Sequence, residues 1–540
     1  MNQHDGSNDE AAAGSPAPSD EAAADSLPPN DKADADDLPR DEATANSELA
    51  EDRDIAPRQG VVFSLSDTLA YALLHSRELQ DAKEDLFSTA LELSLERHLW
   101  TPQFAALISE AAFVHSGSQI DAPRREFSAS SALSVTQRLP FGGQISASLL
   151  SNLLRDLEAR STTSESGVFS VAANIPLLRG AGHTAYETRY QAERSLVYAV
   201  RTYERFRRSF AVDIAADYFN LQQRKASIAN ARISYENRGQ DYRRAQFIGG
   251  TVRSRNVFDA PRAKSSWRAA EANLVSAIEQ YETALDRLKI RLRMPVETPL
   301  DVVDQHVDTE SIAVEQLLPS VDENTAASVA LAYRLDLLTT ADALDDRKRD
   351  VLNAENRIWP DLQLVGRVDM NSDPDQPNSA GFNKERAVWS AGVTFQMDDR
   401  RTEITEFRRA LIGLRQAERN YERDVDTVRS DVRRAMRRVD QQDNLRQIQE
   451  LNVDENALRV AAARERFRLG KSTNQDVIDA EDDLLDARND LASAVSSYRV
   501  AILEFRLDTG TLRLDDTGRW VYGGNEPDPL AADDGSDDGP

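Results

Sequence analysis

Two aspartates three residues apart, Asp476 and Asp479 in "GKSTNQDVIDAEDD", are the side chains whose type and spacing come nearest to chemistry. On a helix that spacing puts both on one face. Paired carboxylates can hold cations, exchange protons or set an electrostatic field. They can also do no more than favour a helix N-terminus through its dipole, worth about 0.3–1 kcal/mol each. A related stretch, "FIGGTVRSRNVFDA", brings Asp259 to the corresponding place, 217 positions before Asp476 or 220 before Asp479, with the uncharged Asn256 beside it. Other chemistry is thinly represented. The absence of cysteine excludes disulfides, thiolate metal sites and cysteine nucleophiles. His4, His75, His98, His115, His183 and His306 are scattered without ligand spacing, so no metal site is expected. "RGAG" at Arg179–Gly182 lacks the lysine and the spacing of a phosphate loop. Neither an enzyme nor a cofactor is expected.

The aspartates need a turn before them and a helix beneath them. Gly470 can take the positive φ that a helix end favours, and Gly250 stands in the equivalent place upstream. Ser472 and Gln475 have capping-box spacing for the next helix. The helices that follow are written twice. Trp267, Leu274, Tyr281 and Leu288 fall seven apart, as do Leu484, Leu491, Tyr498 and Phe505, and each pair is 217 positions apart. A seven-residue apolar repeat buries one seam against neighbouring helices. Before each turn lies a long run without proline and with a single glycine: His183 to Ile248 with Gly239, and Arg401 to Leu469 with Gly413. Such runs predict helices about 65 residues and roughly 100 Å long. Leu79 and Pro102 match Leu337 and Pro360 at a separation of 258, which carries the duplication further upstream.

The net charge of −27 sits mostly at the ends. Residues 1–60 carry 16 acidic and 4 basic side chains, and residues 515–540 carry 8 and 1. Both stretches are too polar to order themselves, and a disordered acidic N-terminal arm and C-terminal tail are expected. No basic stripe stands out, so nucleic acid is not an expected partner. No apolar run is long enough for a transmembrane helix. Met1 opens directly into a polar acidic segment with no visible leader.

The stretches between the helices alternate. In "DLQLVGRVDMN", Leu362, Leu364, Val368 and Met370 share one side with Gly366, while Gln363, Val365, Arg367 and Asp369 share the other. Trp389, Ala391, Val393, Phe395 and Met397 form the apolar side of a second strand; Phe169, Val171, Ala173 and Ile175 do so in the first copy. Strands with one apolar and one polar face are the pattern of a membrane β-barrel. Two strands per repeat cannot close a barrel, and unpaired strand edges are not tolerated in a bilayer, so several chains must pool their strands. The expected organisation is a first repeat over 61–300 with strands near 102–116 and 168–177, a linker over 301–322, and a second repeat over 323–514 with strands near 361–371 and 388–398. "SALSVTQRLPFGGQISASLL" adds an extra hairpin over 131–150 in the first copy, either in the barrel or at its rim.

With this order of elements, with Pro102 and Pro360 leading into the strands, and with "RERFRLGKSTNQDVIDAEDDLLDARNDL", the chain from about Phe63 to Leu514 resembles the TolC family of outer membrane efflux ducts. The resemblance implies a mainly α fold with a small membrane β part: a homotrimeric tube, with four strands per protomer in an outer membrane β-barrel and a long α-helical barrel crossing the periplasm. It implies outer membrane lipid, a periplasmic adaptor protein and an inner-membrane transporter as partners, in efflux or type I secretion. Asp476 and Asp479, with Asp259, would ring the periplasmic aperture. The turns at Gly250 and Gly470 would meet the adaptor, and Arg367 would line the barrel lumen. Arg464, Glu465 and Arg466 would bridge helices near the aperture. The other reading of the same helices is a soluble coiled-coil scaffold, which has no use for two-faced strands.

Overall fold

The computed structural model describes residues 61–116, 124–156, 163–249, 259–319, 321–372, 381–515, 520 and 529–530. The arm over 1–60 lies outside these residues, as does nearly all of 515–540. The two long runs are single helices: α3, His183–Gly249 (67 residues), and α8, Arg401–Arg468 (68 residues). Each is followed by a shorter antiparallel partner, α4 (Asp259–Arg291) after α3 and α9 (Asn474–Asp508) after α8. α3 packs on α4, α8 on α9, and α9 on α3, so four helices form one layer. Alanines of α9 facing its neighbours, Ala480, Ala487, Ala494 and Ala501, are buried, which lets the backbones approach closely.

At the other end α2 (Arg77–His98) lies on α3, and α7 (Leu335–Ile358) lies on both α8 and α3. Ion pairs hold the two repeats together here. Arg201 Nη1 meets Asp342 Oδ2 at 2.6 Å, Arg194 Nε meets Asp346 Oδ1 at 3.2 Å, and the Tyr198 hydroxyl donates to Asp346 Oδ2 at 2.5 Å. Burial and the Asp346 carboxylate push the Tyr198 hydroxyl up to about 12, so it remains a donor.

Mid-way along the helices two apolar cores form. One gathers Leu65 and Leu69 of α1 (Leu65–His75) with Phe210, Tyr218 and Phe219 of α3 and Leu288 of α4. The other gathers Ala326 and Ala330 of α6 (Glu323–Tyr333) with Val428 and Val432 of α8 and Tyr498, Ile502 and Phe505 of α9. The described residues of 301–322 belong to this zone. β6 (Leu300–Val302) pairs in parallel with β1 (Val61–Phe63), and α5 (Thr309–Ala313) follows. The Asp308 carboxylate, 3% exposed, caps α5 and accepts from Tyr218 Oη at 2.8 Å, Gln222 Nε2 at 2.8 Å and Ser311 Oγ at 2.6 Å.

The remaining strands form one antiparallel sheet in the order β2-β3-β4-β5-β7-β8. They are β2 (Gln103–Ser116), β3 (Arg124–Arg138), β4 (Gln144–Asp156), β5 (Thr163–Pro176), β7 (Asp361–Ser372) and β8 (Phe382–Gln396). The hairpin expected over 131–150 is present and longer than its apolar centre indicates. Its turn, Leu139–Gly143, packs against the start of α3: Gly182 N donates to Phe141 O at 3.1 Å. The sheet and the helical layer are also joined through Asn356, whose side chain accepts from Gly180 N at 2.7 Å and donates to Leu178 O at 3.2 Å.

Candidate functional site

The end of the helical layer away from the sheet is where α8 turns into α9. α8 stops at a Schellman motif: Lys471 N donates to Arg466 O and Gly470 N to Phe467 O, both at 2.9 Å, with Gly470 at φ +70°. α9 opens at Asn474, three residues after Lys471. Its cap is Thr473 with Asp476, not Ser472 with Gln475: Asp476 N donates to Thr473 Oγ1 at 3.3 Å, and Thr473 N donates to Asp476 Oδ2 at 2.8 Å. The shift has a simple cause. A carboxylate at the third helical position accepts the cap's N–H as well as an amide does, and it also gains from the helix dipole. Ser472 Oγ adds a bond to Asp476 Oδ2 at 2.7 Å, and Gln475 instead reaches Asp479 Oδ1 at 2.6 Å.

The two predicted aspartates therefore do share a face, and that face is exposed, whereas Val477, Ile478, Ala480 and Glu481 are buried. Bonds from Ser472 and Thr473 hold the Asp476 carboxyl below the usual carboxylate range, so it stays charged. The exposed face continues beyond them. Asp483, Asp486 and Asp490 follow Asp479 at steps of four, three and four, with Asp486 and Asp490 exposed and Asp483 partly so. Those steps are the heptad spacing of the buried seam, so the stripe was readable from the sequence. In the other copy Asp259 opens α4, while Gly250 and Asn256 lie outside the described residues.

Behind the exposed face the four helices are pinned by charge. Arg464 of α8 meets Glu481 Oε1 of α9 at 2.5 Å, so this expected bridge lies within one chain. Glu465 pairs locally with Arg468 at 2.6 Å, and on the exposed face itself Arg459 meets Asp483 at 2.5 Å. Arg238 of α3, 6% exposed, ties three helices: its guanidinium donates to Ser266 Oγ of α4 at 2.6 Å and pairs with Asp482 of α9. Burial raises the carboxyls of Glu481 and Asp241, partly offset by Arg464 and Arg238 at both and by Arg244 at Asp241; Asp241 also raises Glu481. A raised carboxyl binds more protons in the packed state than in the unfolded one. This packing is therefore tightest when both acids are protonated, and it weakens as pH rises from the usual carboxylate range toward the raised value. Amide hydrogen exchange in 474–485, corrected for intrinsic rate, should slow on mild acidification from neutrality. Glu481→Gln should reduce that response, and faster exchange on acidification would contradict it.

The described residues hold no cluster of side chains able to bind a metal ion, and no described helix is long and apolar enough to cross a membrane. The sheet carries the other predicted residue. Arg367 of β7 lies on the polar side, with Nε 2.7 Å from Asp369 Oδ2, and Asp369 Oδ1 accepts from Ser170 Oγ at 2.5 Å. Residues 326–510, which span α6 to α9 with β7 and β8, match the family model described as outer membrane efflux protein. This repeat belongs to the outer membrane efflux protein family. Over most of its length the chain has the fold of solved outer membrane channels. It is similar to CusC, a protein described as forming a transmembrane channel (16% identity, TM-score 0.61, 85% of this chain and 95% of that one). It is similar as well to the CmeC outer membrane channel of Campylobacter jejuni (17%, 0.59, 83% and 85%) and to the open state of the MtrE outer membrane channel of Neisseria gonorrhoeae (16%, 0.59, 83% and 89%). No curated protein matches the sequence.

Proposed function

We propose that the chain is one protomer of a homotrimeric outer membrane efflux duct whose periplasmic mouth is ringed by Asp476 and Asp479. The observation that carries this is the exposed acidic face of α9, which starts at the helix turn and runs inward through Asp490, about 20 Å at 1.5 Å per residue. In a ring of three, each aspartate becomes three facing carboxylates. Such rings favour cations and oppose anions. The sheet supports the assembly: it is open, with β2 and β8 unpaired at its edges, and edges inside a bilayer must find partners. A coiled-coil scaffold does not account for Phe104 and Trp389 standing 76% exposed on those edge strands. The turn at Gly470 is the free end of the helical layer and the natural contact for a periplasmic adaptor beneath which an inner-membrane transporter would sit; Gly250, outside the described residues, is proposed for the same contact on the sequence alone. In this reading the helices lie in the periplasm and the duct moves its cargo without chemistry of its own.

Asp479→Asn is the clean test, because Asp476 also caps α9 and its loss would disturb the fold. In planar bilayers the cation-to-anion permeability ratio of the Asp479→Asn channel should fall severalfold. An unchanged ratio with unchanged conductance would sink the aperture assignment.

A further inference from the structure

We propose that β3 and β4 lie within the membrane wall itself, so that each protomer supplies six strands and three protomers close an eighteen-stranded barrel. This rests on the trimeric duct above. What it adds is the composition of the wall and the width of the bore, which limits the cargo.

The placement of the hairpin is the first ground. β3 and β4 are not appended to an edge; they stand between β2 and β5 in the middle of the sheet. β3 is paired along Gln103–Ser116 on one side and along Gln144–Asp156 on the other. At 15 and 13 residues they match β2 (14) and β5 (14) in length. All exceed the roughly 9–11 residues that a tilted strand needs to cross a bilayer.

Sidedness is the second ground, and it can be followed row by row across the whole sheet. Phe104, Val135, Ala147, Val171, Val368 and Trp389 are directly paired neighbours, one from each strand. So are Ala106, Leu133, Leu149, Phe169, Met370 and Ala387. Both rows are wholly apolar, and paired residues point to one face. The rows alternating with them read Gln103, Thr136, Ser146, Ala172, Arg367 and Ser390, and Ala105, Ser134, Ser148, Ser170, Asp369 and Val388. A hairpin standing in water at the rim has no reason to keep this register. β3 and β4 keep it residue for residue with the four strands flanking them. They put Leu133, Val135, Ala147 and Leu149 toward lipid and add uncharged hydroxyls (Ser134, Thr136, Ser146, Ser148) to the lumen beside Arg367.

The third ground is closure. Among the described residues the outer edges of β2 and β8 are the sheet's two free edges, so identical copies can join β8 of one to β2 of the next, a head-to-tail contact that closes by rotation. At a strand spacing of ~4.8 Å and a tilt of ~40°, eighteen strands enclose a barrel ~36 Å across between backbones, against ~24 Å for twelve. The duct would then admit solutes of larger cross-section than a twelve-stranded wall allows.

The natural lack of cysteine makes single-cysteine labelling clean. Full-length Leu133→Cys, Leu149→Cys and, as a β5 control, Phe169→Cys would carry an environment-sensitive fluorophore in vesicles containing brominated-chain lipid. Ser134→Cys and Ser148→Cys would be treated with a membrane-impermeant maleimide. Quenching at Leu133 and Leu149 within twofold of that at Phe169, with aqueous labelling at Ser134 and Ser148, is expected. Quenching at Phe169 without quenching at Leu133 and Leu149 would place the hairpin outside the wall and overturn the inference while leaving the duct standing. Absence of quenching at Phe169 too, or a native mass of two chains, which would close only twelve strands, would overturn the trimeric duct and this inference together. Strand counting by electron microscopy of the unmodified trimer decides the matter independently of the variants: eighteen supports the inference and twelve refutes it.

Discussion

Asp308→Ala is expected to lower the stability of the folded protomer by about 3–5 kcal/mol, among the largest losses for a single side chain here. The carboxylate accepts Tyr218 Oη, Gln222 Nε2 and Ser311 Oγ on one oxygen and the backbone N–H groups of Glu310 and Ser311 on the other. Tyr218, Gln222 and Ser311 are each 0% exposed. Deleting the acceptor leaves Ser311 Oγ without this partner and reduces Tyr218 Oη and Gln222 Nε2 to Phe63 O at 3.3 Å and Val303 O at 3.1 Å; an unsatisfied buried donor costs about 1–3 kcal/mol before relaxation. Burial, the first cause of the raised Tyr218 hydroxyl, persists in the variant, so the hydroxyl stays protonated and cannot relieve the loss by ionising. Tyr218→Phe removes one donor and leaves the acceptor satisfied by four others; it should cost about 1 kcal/mol. Urea unfolding in detergent, followed by near-ultraviolet circular dichroism, separates the two variants. Equal effects would mean that the carboxylate is not the hub of this zone.

Gly143→Val should prevent the β3–β4 hairpin from seating. Gly143 has φ +84°, a region that a β-branched side chain strongly disfavours. A Cβ there would overlap the Asn174 carbonyl oxygen and lie 2.9 Å from Ile175 Cα, both backbone atoms of the neighbouring strand. Neither obstacle can be turned aside by a side-chain rotation. The turn hydrogen bonds Leu139 N to Gly143 O and Gly142 N to Leu139 O, both 3.0 Å, would break with it. Backbone strain of about 1–3 kcal/mol plus the steric conflict should lower the yield of membrane-inserted protein by tenfold or more. Gly413→Val, at a helical site with open space around its Cβ position, is the control. Equal yields from the two variants would contradict the role given to the turn.

What the sequence reveals differs between elements for physical reasons. The long helices are legible to within a residue or two because nothing in His183–Ile248 or Arg401–Leu469 interrupts them. β7 is legible because its alternation begins immediately after Pro360. β8 begins at Phe382, before the expected 388, because "FNKERA" has no apolar alternation to mark it; it meets β7 at Phe382 and Ala387, across a register shift. The hairpin β3–β4 is visible in its apolar centre and its Gly-Gly turn, but its polar ends are set by the neighbouring strands. At the tip, the spacing of the two aspartates is enough to put them on one face, whereas the cap falls one residue after Ser472 because Ser472 and Thr473 both suit the position. The Asp308 hub has no local signature at all, since Tyr218 and Gln222 lie 90 and 86 residues away in the chain.

The central claim, a sided sheet completed only by pooling three chains, is tested most directly by native mass. Protein extracted from membranes in detergent should weigh three 60.1-kDa chains plus bound surfactant and should precipitate when the detergent is removed. A freely soluble 60.1-kDa monomer that needs no detergent would contradict it.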